Sequence, residues 1–287
     1  MEKAGAGNGA ERHRPRCHPD LLRLAAVGHA LRVRAPRVLV AYDGSEQSET
    51  ALDAIACLSW PVGTRIRLLA VRDAHLRFLR PLADLILFAE LEEGVERAAK
   101  RLSAQLPTGV AVEHRALRGP ALATIAVEAE RFLADLVVLG SRNRGPMSST
   151  VLGSIGRELV ARAEWPVLIA RGEHLDRVLL AHDGSAASRA AVRMIGSWPA
   201  FSHAAVKMFS VAGTGPSAAT AQILTAAALE ESDLIVLGSV CAHGLDRLLH
   251  GDLADDLVPR TRCSLLVVPA TARVELPIAE PALAQAG

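Results

Sequence analysis

The sequence lacks the features that mark several classes of protein. Aromatic residues make up only 3% of the chain, so it offers little platform for stacking single-stranded nucleic acids. Lys and Arg number 32 against 31 Asp and Glu, and this balance gives no electrostatic footprint for nucleic acid or an anionic membrane. No apolar run approaches the roughly 20 residues of a membrane span. These absences favour a cytoplasmic protein that binds neither nucleic acid nor membrane.

Cysteines and catalytic motifs are equally sparse. Cys17, Cys57, Cys241 and Cys263 show no paired spacing of the kind that holds a metal, and this usage is typical of a reducing compartment. Cys57 and Cys263 lie in apolar stretches and are expected to be buried core thiols. The sequence has no GxxxxGK[ST], G-x-S-x-G or HExxH motif. We therefore predict no catalytic residues and no metal site built from protein side chains alone.

What the chain does contain is an internal duplication. The segment Val38–Ser45 returns as Val178–Ser185 with six of eight residues identical, at an offset of 140. The segment Asp135–Ser141 returns as Asp233–Ser239 with six of seven identical, at an offset of 98. The second copy has therefore lost 42 residues between these blocks. The predicted organisation is an N-terminal extension (1–36), a first domain (37–171), a truncated second domain (177–270) and a C-terminal tail (271–287).

In each copy, short apolar runs alternate with helical periodicity. Runs that are apolar on both faces are typical of buried parallel strands, and helices between them indicate a doubly wound α/β domain. We predict five strands in the first domain and four in the second. The predicted strands are Arg37–Tyr42, Arg65–Val71, Val110–Leu117, Leu136–Gly140 and Pro166–Ala170, then Arg177–His182, Ala204–Val211, Leu234–Gly238 and Leu265–Val268.

The longest helical pattern of the first copy runs from Leu82 to Leu106, and its apolar residues, Leu85 and Ile86 among them, follow one face. The missing 42 residues of the second copy correspond to this helix and to the third strand. The deletion would leave the strand at 204–211 as a sheet edge. The apolar stretch 21–33 of the extension could cover that edge.

Two features of the first copy are predicted to meet at the carboxyl ends of its strands. Asp43 follows the first strand, where a carboxylate faces the crevice of an open α/β sheet, and Ser45 can cap the next helix. After the fourth strand, Gly140 opens a loop that ends at Gly153 and Ser154, where a helix begins. Free N–H groups at a helix N-terminus favour an anion. From these residues alone, an ordinary surface loop and helix start explain the pattern equally well.

The spacing of this loop carries a resemblance. Gly140-x2-Asn143-x9-Gly153-Ser154 is similar to Gly-x2-Gly-x9-Gly-[Ser/Thr], the motif of ATP-binding universal stress proteins. Asn143 replaces the second glycine, a mild change because Asn tolerates left-handed backbone. Together with the block at 38–45 and the ending Trp165–Ile169, it identifies the chain as a tandem member of that family. The resemblance implies adenine-nucleotide α-hydrolase-like domains with strand order 3-2-1-4-5.

The resemblance also implies a nucleotide site in the first domain. The aspartate at Asp43 would contact the nucleoside, backbone near Val71 would hold the adenine, and the loop glycines with Ser154 would hold the phosphates. Mg²⁺ or Mn²⁺ would accompany the nucleotide. The residues expected to bind ATP are Ala41, Tyr42, Asp43, Val71, Gly140, Arg142, Asn143, Gly153, Ser154 and Ile155.

The second copy departs from the motif, since it reads Gly238-x2-Cys241-x9-Gly251-Asp252. The carboxylate of Asp252 would repel a phosphate, so only the first domain is expected to bind ATP. Members of the family commonly dimerise through their fifth strands. The resemblance therefore implies that 166–170 and 265–268 pair within this chain. A homodimer and an unknown protein partner are further expectations.

Three functions fit these residues. The loop at 140–154 favours an ATP-binding stress-response or regulatory protein. Asn143 and the degenerate second copy favour a nucleotide-free interaction scaffold of the same fold. An adenine-nucleotide hydrolase would need a catalytic base or nucleophile, and only Asp43 offers itself, so slow hydrolysis is the most we expect. The ATP-binding protein is the preferred hypothesis.

Overall fold

The structure, a computed structural model, describes residues 35–73, 81–141, 154–162, 164–211, 215–239 and 253–272. They form nine strands, seven α-helices and one 3-10 turn. In chain order these are β1 (Arg37–Ala41), α1 (Glu46–Ala56), β2 (Arg65–Arg72), α2 (Pro81–Gln105), β3 (Ala111–Arg118), α3 (Ala121–Phe132), β4 (Leu136–Gly140), α4 (Ser154–Arg162), β5 (Val167–Ala170), β6 (Arg177–His182), α5 (Ala186–Ser197), the 3-10 turn (Pro199–Phe201), β7 (Ala205–Ser210), α6 (Pro216–Leu229), β8 (Leu234–Ser239), α7 (Leu253–Leu257) and β9 (Ser264–Pro269).

All the described strands join one sheet, in the order β3-β2-β1-β4-β5-β9-β8-β6-β7. The first half follows the order 3-2-1-4-5, and the second half repeats it in reverse without a third strand. Strands within each half are parallel. The predicted fold class, with five strands and then four, is confirmed. The deletion removes what would have been an outer strand, so β7 is an edge of the sheet.

Alternate residues of each strand face opposite helical layers, as the pleat requires. Val38 and Val40 pack with α1, α2 and α5 in one buried cluster. Leu39 lies between them in sequence and packs in the other cluster with α3, α4, α6 and α7. A layer of helices on each face of a parallel sheet explains why the strands read as apolar runs without alternation.

The repeated aspartates tie neighbouring strands at their amino ends. The Asp135 carboxylate accepts the backbone N–H of Arg37 at 2.8 Å. The equivalent Asp233 accepts the backbone N–H of Arg177 at 3.1 Å and its guanidinium N–H at 2.9 Å. The repeat in sequence therefore includes a repeated lock between the first and fourth strands of each half.

The halves meet at β5 and β9. These two strands pair in antiparallel orientation, whereas the other pairs of described strands are parallel. Leu168 lies opposite Leu266, and both side chains are fully buried. This pairing confirms the prediction that the fifth strands pair within the chain. It also removes two apolar sheet edges from solvent, which is the usual reason for such pairing.

A partly buried arginine and a tryptophan pair add to this junction. The Arg171 guanidinium donates to the carbonyl oxygens of Val258, at 2.6 Å, and Thr261, so the end of β5 holds the end of α7. Burial lowers the pKa of Arg171 to about 10. Trp60 and Trp198 meet edge to face with ring centroids 6.2 Å apart. Each belongs to a Ser-Trp-Pro triplet. This triplet is a third repeated block, which the sequence analysis did not recognise.

Two predictions about burial are wrong. Val95, Ala98 and Leu102 of α2 are buried, but Leu85 is 58% and Ile86 is 51% exposed. The apolar stripe of this helix therefore continues into turns that do not pack on the sheet. Cys57 is exposed rather than a core thiol, because it lies at the C-terminal cap of α1.

Candidate functional site

The predicted site residues that the structure describes converge on one edge of the sheet. Ala41 is in register with Leu69 of β2 and with Leu139 of β4, so the carboxyl ends of these strands lie side by side. Asp43, Val71 and Gly140 therefore come together at this edge. Arg142, Asn143 and Gly153 lie outside the described residues. The backbone of Ser154 and Ile155 forms the first turn of α4.

The Asp-Gly-Ser block is a strand-to-helix turn. Gly44 has φ +75°, a backbone that L side chains rarely adopt. The Asp43 carboxylate accepts the backbone N–H of Ser45, at 3.1 Å, and its hydroxyl. Ser45 Oγ in turn accepts the N–H of Ser48 at 3.2 Å, which confirms the predicted helix cap. Asp43 holds the turn and remains exposed to solvent.

The second half repeats this turn closely. Gly184 has φ +79°, and the Asp183 carboxylate accepts the N–H of Ser185 at 2.9 Å. Burial raises the pKa of Asp183, but hydrogen bonds from Ser185 and Ser188 outweigh it and lower the pKa below its ordinary value. The shared turn means that local structure alone accounts for the repeated aspartate, and any ligand contact at Asp43 is an additional role.

The side chain of Tyr42 points away from the site. It is buried against α1 and α2, and its hydroxyl donates to Glu49 Oε1 at 2.7 Å. Burial raises the pKa of the phenol, against the opposing charges of Arg101 and Arg97. Its backbone N–H donates to the carbonyl of Leu69 at 2.9 Å. Tyr42 could therefore serve a ligand only through its carbonyl oxygen.

An apolar shelf lies at this edge on the opposite face, towards α3 and α4. Its members are Ala41, Val71 and Leu117, all partly buried and packed against the same cluster. Val71 and Leu117 are paired in register across β2 and β3. Since the shelf is apolar and borders the exposed carboxylate of Asp43, it has the character of a surface for a flat aromatic base.

Gly140 has a packing role that the sequence did not reveal. A Cβ at this position would lie 2.2 Å from the carbonyl oxygen of Gln47 in α1. The equivalent Gly238 would bring a Cβ within 2.1 Å of the carbonyl carbon of Ala187 in α5. Both halves therefore need glycine where the first turn of a helix crosses the end of the fourth strand. Close approach of a ligand is not required to explain it.

Ser141, next in the chain, is a candidate site residue that sequence reasoning missed. It is 3% exposed, and its hydroxyl has no hydrogen-bond partner in the described part of the chain. Its backbone N–H donates to the Ala170 carbonyl at 3.0 Å, which fixes it at the end of β4. The equivalent Ser239 is also buried but has a partner. The signal was present, since this serine closes the repeated block.

The described residues contain no group of three or more His, Cys, Asp and Glu that could hold a metal ion. Within the same residues, no helix combines the length and apolar character needed to cross a membrane. Cys241, Gly251 and Asp252 of the second copy's loop lie outside the described part of the chain.

The universal stress protein family model matches residues 35–171 and 200–269. The chain belongs to the universal stress protein family. A universal stress protein from the QAH/OAS sulfhydrylase 3' region of Thermus aquaticus is 34% identical over 136 residues, which are 47% of this chain and 97% of that protein. The stress response protein NhaX of Bacillus subtilis strain 168 is 26% identical over 166 residues, covering 48% of this chain and 98% of NhaX.

A solved structure extends the likeness across both halves of this universal stress protein. The crystal structure of a universal stress protein from Archaeoglobus fulgidus covers 83% of this chain and 100% of its own, with a TM-score of 0.64. Sequence identity in that alignment is 17%, so the likeness shows the shared fold alone.

Proposed function

We propose that the first half of this universal stress protein binds one ATP, together with Mg²⁺ or Mn²⁺, and that the bound nucleotide serves as a signal in a stress response. The supporting observation is a juxtaposition at one sheet edge. An exposed carboxylate (Asp43), a partly buried apolar shelf and the buried hydroxyl of Ser141, which has no hydrogen-bond partner among the described residues, adjoin one another there. A nucleotide has a ribose, a base and phosphates that match these three groups.

In this proposal each group has its own role. Ala41, Val71 and Leu117 would support the adenine, and Asp43 would accept hydrogen bonds from the ribose hydroxyls. Ser141 and the N-terminus of α4 would donate to phosphate oxygens. The remaining predicted residues, Arg142, Asn143 and Gly153, belong to the loop between β4 and α4. The metal would be held chiefly through the phosphates, in keeping with the lack of a metal cluster among the described residues.

Binding by the first half alone is supported by what the second half lacks. β2 lies between β1 and β3, whereas its equivalent β7 is at the sheet edge. The third member of the apolar shelf, Leu117, comes from β3 and has no counterpart in the second half. Asp252 adds a negative charge where the motif calls for a hydroxyl.

Titration calorimetry of two matched variants tests the proposal. Asp43→Asn and Asp183→Asn alter the same turn in each half, so they should cost similar stability. Only Asp43→Asn should weaken ATP binding, by roughly tenfold for the loss of a charged hydrogen bond. The wild type should bind one ATP per chain. Two ATP per chain, or equal affinities for wild type and Asp43→Asn, would contradict the proposal.

The nucleotide-free scaffold is the second candidate, because the turn at Asp43 and the packing at Gly140 account for both residues without a ligand. Heat denaturation of the purified chain distinguishes these functions. Released ATP supports the first proposal, whereas no nucleotide together with no calorimetric signal supports the scaffold. Steady ATP turnover would instead indicate a hydrolase.

A further inference from the structure

The deletion leaves one face of β7 without the helix that covers the equivalent strand of the first half. The β2 residues under α2, Ile66 and Leu68 among them, are fully buried. At an offset of 140, their counterparts in β7 are Val206 and Met208. Val206 is partly exposed, and Met208 is 41% exposed. The place that α2 occupies in the first half is thus left open by the described residues of the second half.

This open place is a groove between the outer strand and α5. Val206 and Met208 form its floor, and they are in register with Val178 and Leu180 of β6, which pack under α5. The floor of this β7 groove is therefore continuous with the apolar core on the α5 face of the sheet. The six residues of β7 span about 20 Å, which is the length of a helix of about 14 residues.

The wall of the β7 groove carries charge of the opposite sign to its counterpart in the first half. There, Glu49 of α1 pairs with Arg101 of α2. The residue of α5 at the position of Glu49 is Arg189, and Arg193 lies one turn further along the same side of the helix. Neither arginine forms an ion pair within the described part of the chain, and residues 184–229 contain no Asp or Glu. A helix that fills this groove therefore needs acidic residues where α2 has basic ones.

Four segments of this chain that lie outside the described residues do not match the groove. Residues 21–33, 74–80 and 142–153 each carry two arginines and no Asp or Glu, so their charge has the wrong sign. Residues 240–252 join β8 to α7, and α7 packs on the opposite face of the sheet. The apolar stretch 21–33 is therefore not the complement of this groove, although it remains a candidate for the hydrogen-bonding edge of β7.

The C-terminal tail is the one competitor with suitable charge among these segments. Residues 273–287 contain Glu275 and Glu280. They also contain Pro277 and Pro281, and proline in a helix interior removes a hydrogen bond and clashes with the preceding turn. The tail therefore cannot supply the continuous helix of about 14 residues that would fill the groove.

We propose that the β7 groove binds an acidic amphipathic helix of a partner protein, in the place that α2 takes in the first half. The apolar side of that helix covers Val206 and Met208, and its carboxylates pair with Arg189 and Arg193. This is the helix-in-groove mode of peptide recognition. One helix buries less than the roughly 1,200 Å² of a stable interface, so the complex should be a reversible one.

Fluorescence anisotropy with a labelled synthetic peptide tests the proposal on the full chain. The probe is a capped peptide of about 14 residues, with leucines at helical spacing on one side and glutamates on the other. Its affinity for R189E/R193E should fall roughly tenfold or more, because like charges then face each other. The same peptide with lysines in place of the glutamates should prefer R189E/R193E to wild type. Helical circular dichroism of the peptide should rise on binding.

Two further variants serve as controls. R131E/R157E reverses two exposed arginines on α3 and α4, the helices of the opposite face. Its affinity for the glutamate peptide should stay within about twofold of the wild-type value, although its change in net charge is the same. E275K/E280K reverses the charge of the tail and should also leave this affinity unchanged.

Four outcomes would overturn the proposal. The first is equal affinity of wild type and R189E/R193E for the glutamate peptide, or no binding to either, with circular dichroism showing that both are folded. The second is a gain of roughly tenfold in E275K/E280K, which would assign the groove to the tail. The third is a bound peptide without added helical signal, which would indicate strand addition at β7. The fourth is a wild-type dimer in sedimentation that R189E/R193E dissociates, which would assign the groove to a second copy.

Discussion

The β5–β9 ladder joins the two halves, so we expect them to unfold as one unit, and Leu168 is the residue at which to test this. Leu168 and Leu266 are fully buried and lie opposite each other across the junction. Replacing Leu168 by Ala should cost about 2–5 kcal/mol from lost transfer energy and the cavity left behind. A folded domain is stable by only about 5–15 kcal/mol, so this is a large share. We expect both halves to lose stability together.

Urea unfolding followed by circular dichroism and by tryptophan fluorescence measures this effect. The two signals should give one coincident transition, as a single cooperative unit requires. With an m-value of about 3 kcal/mol/M, the midpoint should fall by roughly 1 M. The chain has three tryptophans. Trp198→Phe therefore leaves the two reporters of the first half, Trp60 and Trp165, and the double variant Trp60→Phe/Trp165→Phe leaves only Trp198 of the second half.

The matched control for this experiment is Leu229→Ala, because Leu229 is 77% exposed. Its free energy of unfolding should stay within about 0.5 kcal/mol of the wild-type value, as is usual for surface changes. Two separate transitions in Leu168→Ala, of which only that of the first half moves, would show that the halves unfold independently. That result would refute the coupling argued from the β5–β9 pairing.

Three further predictions follow from packing and charge. Gly140→Ala should destabilise the chain by roughly 1–3 kcal/mol in thermal melting, because its Cβ would meet the Gln47 carbonyl. In the control Gly94→Ala, the new Cβ has nothing within 4 Å, and the change should stabilise the helix by about 0.5–1 kcal/mol. Glu128 is 1% exposed and bonds two arginines, so Glu128→Gln should cost roughly 3 kcal/mol in urea unfolding, and a loss below about 0.5 kcal/mol would contradict this. Tyr42 is the single tyrosine of the chain, and burial raises its pKa above 10.0. Its contribution to stability should therefore be intact below pH 10 and be lost as the pH rises through the pKa of the folded state. Tyrosinate absorbance should titrate above 10 in the native chain and near 10 in urea, and equal midpoints would contradict the argument.

Much of the fold could be predicted because its signals are local or repeated. Runs apolar on both faces indicate strands covered by two helical layers, and β1, β4 and β6 end within about two residues of the predicted bounds. The helix cap at Ser45 follows from side-chain chemistry within three residues of the chain. The β5–β9 pairing came from the family resemblance, since the apolar runs alone do not specify a partner.

The parts that could not be predicted depend on contacts between distant residues. The sequence of α2 gives one apolar stripe, but whether it is buried depends on how far the sheet extends beneath it. That limit exposes Leu85 and Ile86. Tyr42 lies between β1 and the turn at residues 43–45, which suggests a place in the site. The pleat of the strand nevertheless directs its side chain to Glu49 on the other face. The need for glycine at position 140 is set by the approach of α1, which no local pattern encodes.

The position of the deletion explains how the second half can lose an outer strand without losing its place in the fold. In each half the fifth strand is at one side of the sheet and the third strand, where present, at the other. The missing 42 residues fall on the far side from the β5–β9 junction, so the antiparallel ladder and Arg171 are untouched. What the second half loses is a counterpart of β3, the strand that supplies Leu117 to the apolar shelf of the first half. A duplicated domain can therefore give up a strand at one edge while its opposite edge continues to stabilise its neighbour. Because we propose that the shelf beside that strand supports the base, this is the physical basis for expecting a single nucleotide per chain.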